Sequence, residues 1–304
     1  MITIVGSGKV GGSIAVQLAL RGLGDVTLMD VVQGLPQGEA LDLNHMCGTL
    51  GIGVEFRGSN DYRDMEGSEL VVVTAGLTRK ADMTRLDLLR KNAEVIGTVG
   101  KSIAEHAPKA KVILTTNPLD VMTYQMYRNT GFDRARIMGF SGPLDTGRFR
   151  YLLAKELDVS PASIQTMVIG EHGDSMVLLP RLTTVGGKPL PELLPAQRVA
   201  ELMEMAKKGG AEVIRLRGFS SSYAPGAGVA QMVEAVVRGT NVVIPTSVYL
   251  QGEYGVKDLT VVVPAVLGSA GVERVIELSL TDEERKAFDR SVSVLREAVA
   301  QLGA

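Results

Sequence analysis

Short apolar runs recur through the first half of the chain: "MITIV", "DVTLMD", "LVVVTA", "KVILTT" and "ARIMGF" are separated by segments long enough for crossover helices. Such alternation predicts an α/β fold, a doubly wound parallel sheet with helices on both faces. The run Leu70–Val73 is wholly apolar, as a strand buried on both faces must be. The segment leaving its end should therefore loop over the sheet's carboxyl edge, the usual ligand side. That segment reads "GLTRKADMTRLDLL" and sets Arg79 and Arg85 six residues apart, two charges that need a partner.

From about Gly142 the pattern changes. Longer helical stretches, "PLDTGRFRYLLAKEL" and "PAQRVAELMEMAKKGGAEVIRL", precede "NVVIPTSVYL" and "LTVVVPAVLG", which suggest antiparallel hairpins. A boundary is expected there, with one domain over residues 1–141 and a second, mixed α+β domain over 142–304. The chain closes with a helix opened by a capping-box pattern, Thr281 and Glu284. Its stripe of Phe288, Val292, Leu295, Val299 and Leu302 reads as core packing or a subunit contact.

Composition narrows the class. A chain of 304 residues, 45% apolar, has room for two cores. The formal net charge of −2 leaves no basic surplus to draw it onto nucleic acid or anionic lipid. A single cysteine, Cys47, excludes an internal disulfide and reads as a quiet core thiol in a reducing compartment. No apolar run approaches membrane-spanning length, and the N-terminus enters a strand without signal-peptide features, so a cytoplasmic protein is expected. Three scattered histidines and one cysteine argue against a catalytic metal.

Gly6, Gly8 and Gly11 stand in G-x-G-x-x-G spacing within "ITIVGSGKVGG". In a chain with 35 glycines the spacing alone is weak, and its context decides. The triplet closes the first strand and opens the helical stretch "KVGGSIAVQLAL", whose N-terminus can receive a pyrophosphate that a side chain at Gly8 would block. Asp30 ends the second strand 19 residues after Gly11. A carboxylate there accepts hydrogen bonds from the ribose hydroxyls and repels a 2′-phosphate. The set predicts a Rossmann-type sheet that binds NAD in preference to NADP.

A histidine acid–base must be one of three. His106, in "AEHAP", reads as solvated or favoured by a helix end, and His45, in "LDLNHMCG", as helix surface or packing. His172 differs, because "MVIGEHGDS" breaks a strand with glycines on both sides of a Glu-His pair and delivers the imidazole into a loop. A satisfied structural histidine is the competing account. Asp145 and Arg148, three apart at a helix start, share a face and form either a local ion pair or part of one site with His172. In the second case Asp145 orients the imidazole and Arg148 grips a substrate carboxylate by a two-pronged bond.

The set "IVGSGKVGG", "AGLTRKADMTRLDLL", "TTNPLDV", "PLDTGRFR" and "IGEHGDS", in this order along nearly the whole chain, resembles the lactate/malate dehydrogenase family, and within it the lactate-dehydrogenase-like malate dehydrogenases. The resemblance implies an NAD-dependent oxidoreductase acting on malate and oxaloacetate, with His172 as acid–base and Asp145 as its partner. It implies that the segment after the Leu70–Val73 strand is a mobile loop closing over substrate, with Arg85 polarising the reacting carbonyl and Arg79 facing the substrate's far end. Arginine at that place marks the dicarboxylate enzymes; lactate dehydrogenases typically carry glutamine. Asn117 matches a position that hydrogen-bonds the substrate oxygen and helps seat the nicotinamide, although an Asn before Pro118 also reads as a turn former. Asn92 joins the expected cofactor-binding residues, and the family implies a homodimer or homotetramer.

The loop departs from the pattern, since Ala81 and Asp82 stand where many relatives have Pro-Gly, and the run Ser220–Ser222 leaves a pocket-lining helix start without an assigned register. From the short N-terminus an extended arm like that of some lactate dehydrogenases is not expected, so arm exchange gives no ground for a tetramer. The alternatives are a lactate or other 2-hydroxyacid dehydrogenase and, more remotely, a nucleotide-binding protein without turnover.

Overall fold

The computed structural model describes residues 1–78 and 83–303. Arg79, Ala81 and Asp82 therefore lie outside the described residues.

In the first half, strands β1 (Ile2–Val5), β2 (Val26–Met29), β3 (Phe56–Ser59), β4 (Leu70–Val73), β5 (Lys111–Leu114) and β6 (Ile137–Gly139) alternate with helices α1 (Lys9–Leu20), α2 (Leu35–Leu50), α3 (Arg85–His106) and α4 (Leu119–Thr130). These strands run parallel in the order β3-β2-β1-β4-β5-β6. Every position of β1, β2 and β4 is buried, because helices cover both faces. Each Val, Leu or Ile removed from water there contributes about 1.5–3 kcal/mol before chain entropy is counted. The strand β3 was not among the runs read from sequence. It holds Arg57 and Gly58 in four residues, and only its two ends are buried.

The second half opens with α5 (Gly142–Leu157), passes through the two-residue strands β7 (Ile164–Gln165), β8 (Val168–Ile169), β9 (Val177–Leu178), β10 (Thr184–Val185) and β11 (Lys188–Pro189), and continues with α6 (Ala196–Arg217) and α7 (Tyr223–Arg238). The long hairpin β12 (Val242–Gln251) and β13 (Lys257–Gly268), then β14 (Gly271–Val275) and α8 (Asp282–Ala300), complete it. The expected antiparallel pairing of β12 with β13 is present from Val242 opposite Leu267 to Gln251 opposite Lys257. That hairpin does not stand apart. Strand β12 pairs antiparallel with β6 through Ser247 and Gly139, so the described strands form one nine-stranded sheet across both halves, with two small sheets beside it.

The strand order reverses between β1 and β4, which opens a crevice at their carboxyl ends. Helix α7 closes over α1 so tightly that a Cβ on Gly226 would lie 2.2 Å from Ser13 Oγ. Helix α8 has the predicted capping box, and Phe288, Val292 and Leu295 of its stripe are buried in the core. Cys47 is buried and unpaired. Among the described residues no helix is long and apolar enough to cross a membrane, and no cluster of His, Cys, Asp or Glu could hold a metal ion.

Candidate active site

His172 is carried to the sheet's edge by a short buried strand and a turn. After β8 the chain bends at Gly170, whose φ of +91° disfavours a side chain and whose Cβ would meet Ser291 Oγ at 2.6 Å. The next two amides are both held: Glu171 donates its N–H to Ser291 Oγ of α8 at 2.6 Å, and His172 donates its N–H to Asp120 Oδ2 of α4 at 2.8 Å. The Glu171 carboxylate accepts a short hydrogen bond from Ser175.

The imidazole meets Asp145, which sits in the first turn of α5 with its side chain only 2% exposed. Nδ1 of His172 lies 2.6 Å from Asp145 Oδ2, while Asp145 Oδ1 accepts a 3.0 Å bond from Arg148 Nη1. The structure thus joins the three residues in one chain: Asp145 and Arg148 form the local ion pair, and the same carboxylate meets the imidazole of His172. Burial by itself would depress the imidazole pKa, but the Asp145 carboxylate, its hydrogen bond and a smaller pull from Asp120 outweigh burial and hold it above its usual value.

Arg148 is packed by glycine. A Cβ on Gly209 would lie 3.3 Å from Arg148 Cδ, and one on Gly210 would lie 3.1 Å from Nη2. The adjacent glycines in α6 leave room for the guanidinium beside Asp145. They carry a cost of about 1 kcal/mol each relative to Ala in a helix interior.

The dinucleotide residues behave as three different glycines. Gly6 has φ +109°, and its Cβ would meet Thr74 Oγ1 at 2.5 Å across the crevice. Gly11 packs helix on strand, with a Cβ position 2.0 Å from Gly6 O. Gly8 faces open space, with no protein atom within 4 Å of its Cβ position, and it caps α1 without a side-chain bond. A helix N-terminus capped by a residue without a side chain suits a pyrophosphate. Asp30 stands at the adjacent strand end and accepts backbone N–H groups from Ser7 at 2.8 Å and Val32 at 3.0 Å. Between β6 and α5, Ser141 is fully buried and its hydroxyl has no hydrogen-bond partner among the described residues. The residues present fit a dinucleotide.

Asn117 is exposed just beyond β5, and its carbonyl accepts a 2.7 Å bond from Asn92 Nδ2. Asn92 itself is fully buried. Its amide also receives the Leu77 N–H at 2.7 Å and donates to the Leu77 carbonyl at 3.2 Å, so it ties the loop after β4 to the end of β5. Arg85 is exposed at the first position of α3, behind a Thr84–Asp87 capping box, and makes no ion pair with the described residues. Arg79 lies outside the described residues. His45 is on the exposed side of α2 and His106 ends α3, both as read from sequence.

Four supports of the site were not singled out from sequence: Asp120, Ser247, Ser291 and the Gly209–Gly210 pair. Asp120 stands inside "TTNPLDV", but an aspartate in a helix's first turn is ordinarily explained by the helix dipole, and its burial follows from packing distant in sequence.

Two family models cover nearly the whole chain: the lactate/malate dehydrogenase NAD binding domain matches residues 1–139, and the lactate/malate dehydrogenase alpha/beta C-terminal domain matches residues 143–304. The chain is 52% identical to a malate dehydrogenase of Pyrobaculum islandicum over 303 residues, covering 99% of this chain and 98% of that one. The solved malate dehydrogenase of Aeropyrum pernix superposes with a TM-score of 0.96 at 46% identity, covering 99% of this chain and 97% of the other. A malate dehydrogenase of Plasmodium falciparum solved in complex with NADH superposes with a TM-score of 0.94 at 32% identity, covering 99% and 98%.

Proposed function

The chain belongs to the lactate/malate dehydrogenase family, and from that premise we propose that it is an NAD-dependent malate dehydrogenase, interconverting malate and oxaloacetate. The observation that carries the reading is the continuous chain from His172 through Asp145 to Arg148.

Held by Gly6, Gly8, Gly11 and Asp30, NAD would supply the hydride acceptor for malate oxidation, and NADH the hydride donor for the reverse reaction. The protein's own part is proton transfer and grip. Because Nδ1 of His172 is engaged by Asp145, its proton stays there and Nε2 is the nitrogen left to take the malate hydroxyl proton. The imidazolium so formed is offset by the buried Asp145 carboxylate, and in the reverse direction it is the acid that protonates the carbonyl oxygen. Arg148 uses the part of its fork not bound to Asp145 to hold the C1 carboxylate. Asn117 holds the reacting oxygen and the nicotinamide, above a backbone fixed by Asn92. Gly6, Gly8, Gly11 and Asp30 take the pyrophosphate and the adenosine ribose.

Arg85 polarises the carbonyl. Arg79 binds the second carboxylate and thereby selects dicarboxylates over pyruvate. Pyruvate would leave that guanidinium unpaired in a water-poor pocket, which supports discrimination of about a thousandfold.

We place the reaction in the tricarboxylic acid cycle, in the cytoplasm, carried out by a homodimer or homotetramer. Exposed Leu41, Leu50, Tyr151, Leu216 and Tyr223 are apolar side chains that subunit contact would cover. The test of the acid–base is His172→Ala, which should keep NADH affinity and lose turnover by about 100- to 10,000-fold. Loss of NADH binding instead would make the histidine a structural residue.

A further inference from the structure

The buried stripe of α8 reads Phe288, Ser291, Val292 and Leu295, with one polar residue among the apolar ones. A fully buried serine costs free energy unless its hydroxyl is used. Here the acid–base loop uses it. Residues 170–176 join β8 to β9, and those strands pair only through Val168 with Leu178 and Ile169 with Val177. So short a hairpin does not fix its own loop. Gly170 adds a bridge to Val262 of β13, and beyond it the chain is held from α8. Ser291 Oγ accepts the Glu171 N–H at 2.6 Å and stands 3.2 Å from the Ser175 hydroxyl. Ser175 also donates its hydroxyl to the Glu171 carboxylate, and its N–H to the same oxygen at 3.3 Å. Gly173 leaves room for that carboxylate, since a Cβ there would lie 2.6 Å from Oε1. One hydroxyl of the C-terminal helix therefore meets both ends of the turn that presents His172.

We propose that Ser291 is a positioning residue for His172, a clamp by which α8 holds Glu171 and Ser175 so that the imidazole between them stays aligned with Asp145. The proposal rests on the reading of His172 as the acid–base. Asp145 belongs to α5 and the clamp to α8, so the proton carrier is set between two helices instead of riding on a free loop. Helix α8 suits the task, because its capping box fixes one end and Phe288, Val292 and Leu295 bind it to the core. A displacement of about 1 Å in a reacting group can cost about 100-fold in rate, which makes a remote support of this kind visible in turnover.

The experiment compares the wild type with Ser291→Ala, Ser291→Cys and Ser293→Ala. Cysteine nearly keeps the shape of serine and is a weaker acceptor. Ser293 is the control, exposed on the same helix with its hydroxyl bonded to the Asp289 carbonyl. Amide hydrogen exchange is followed by mass spectrometry over residues 168–178 and over β1 and β4, alongside NADH affinity and the KM and kcat of oxaloacetate reduction. In Ser291→Ala the loop should exchange about tenfold faster or more while β1 and β4 keep their protection. Its kcat should fall about tenfold or more, with KM and NADH affinity within about threefold of the wild type. Ser291→Cys should fall between the two, and Ser293→Ala should match the wild type.

Unchanged loop exchange in Ser291→Ala overturns the proposal, and so does faster exchange with a wild-type kcat. Exchange that rises equally in the loop, β1 and β4 overturns it too, because the serine would then support the whole fold and not the loop. Should Ser291→Ala not fold, Ser291→Cys decides on the same criteria. The exchange measurement needs no turnover. Absence of wild-type activity with any keto acid would sink the functional reading, while the exchange of residues 168–178 would still report whether α8 clamps the loop.

Discussion

Nδ1 of His172 and Oδ2 of Asp145 stand 2.6 Å apart, with the carboxylate 2% exposed and its second oxygen on Arg148. That pair sets both the tautomer and the charge preference of the ring. Asp145→Asn should therefore lower turnover by about 100- to 10,000-fold with NADH binding retained. The sign of its pH effect is fixed. Without the carboxylate the imidazolium is less stable, so the raised His172 pKa falls. Oxaloacetate reduction, which needs the protonated ring, should lose its activity at lower pH than in the wild type. Malate oxidation, which needs the neutral ring, should persist to lower pH. Profiles that superpose with the wild type would remove Asp145 from the proton transfer.

Arg148 is held between Asp145 and the glycines of α6. In Gly210→Ala the new Cβ would stand 3.1 Å from Nη2, close enough to push the guanidinium aside, while the backbone gains a better helix former. We expect KM for oxaloacetate to rise about tenfold, and the melting temperature to hold or increase. A variant with wild-type KM would show that Arg148 does not need this glycine.

The fold and the cofactor site can be separated at Gly8. Its φ of −77° suits any residue and no protein atom lies within 4 Å of its Cβ position, so Gly8→Val should fold normally. A side chain there enters the space of the pyrophosphate, and NADH affinity should weaken by at least tenfold in a fluorescence titration. Unchanged affinity would place the dinucleotide elsewhere.

Much of this architecture is legible in the sequence because it is local. The apolar strands β1, β2 and β4 announce burial on both faces, and the spacing of Gly6, Gly8 and Gly11 between strand and helix encodes a turn, an approach and a packing contact. The capping box at Thr281 is a four-residue pattern and forms as read. What escapes is what depends on distant partners. Strand β3 is short, half exposed and broken by Gly58, whose Cβ would lie 2.3 Å from the Pro36–Gln37 backbone; it is recognisable only through its neighbours β2 and α2. The junction of the two halves into one sheet rests on a single opposed pair, Ser247 and Gly139. No local pattern reports it.

The site shows the same division. His172, Asp145 and Arg148 carry chemistry in their residue types and in the breaks around them. Asp120 and Ser291, which hold the two amides beneath His172, are 52 and 120 residues from their partners. Asn92 was expected at the cofactor, and its fully buried amide is taken up by Leu77 and the Asn117 carbonyl, a commitment that becomes visible only once α3 is docked.

The most direct test of the account is the rate of NADH oxidation by the purified protein with oxaloacetate and pyruvate in parallel, repeated for Arg79→Gln. The wild type should prefer oxaloacetate by about a thousandfold in kcat/KM, and the variant should lose most of that preference by gaining pyruvate turnover. A wild type that turns over pyruvate as well as oxaloacetate, or a variant with the preference intact, would contradict the assignment of a dicarboxylate-specific dehydrogenase read from this chain.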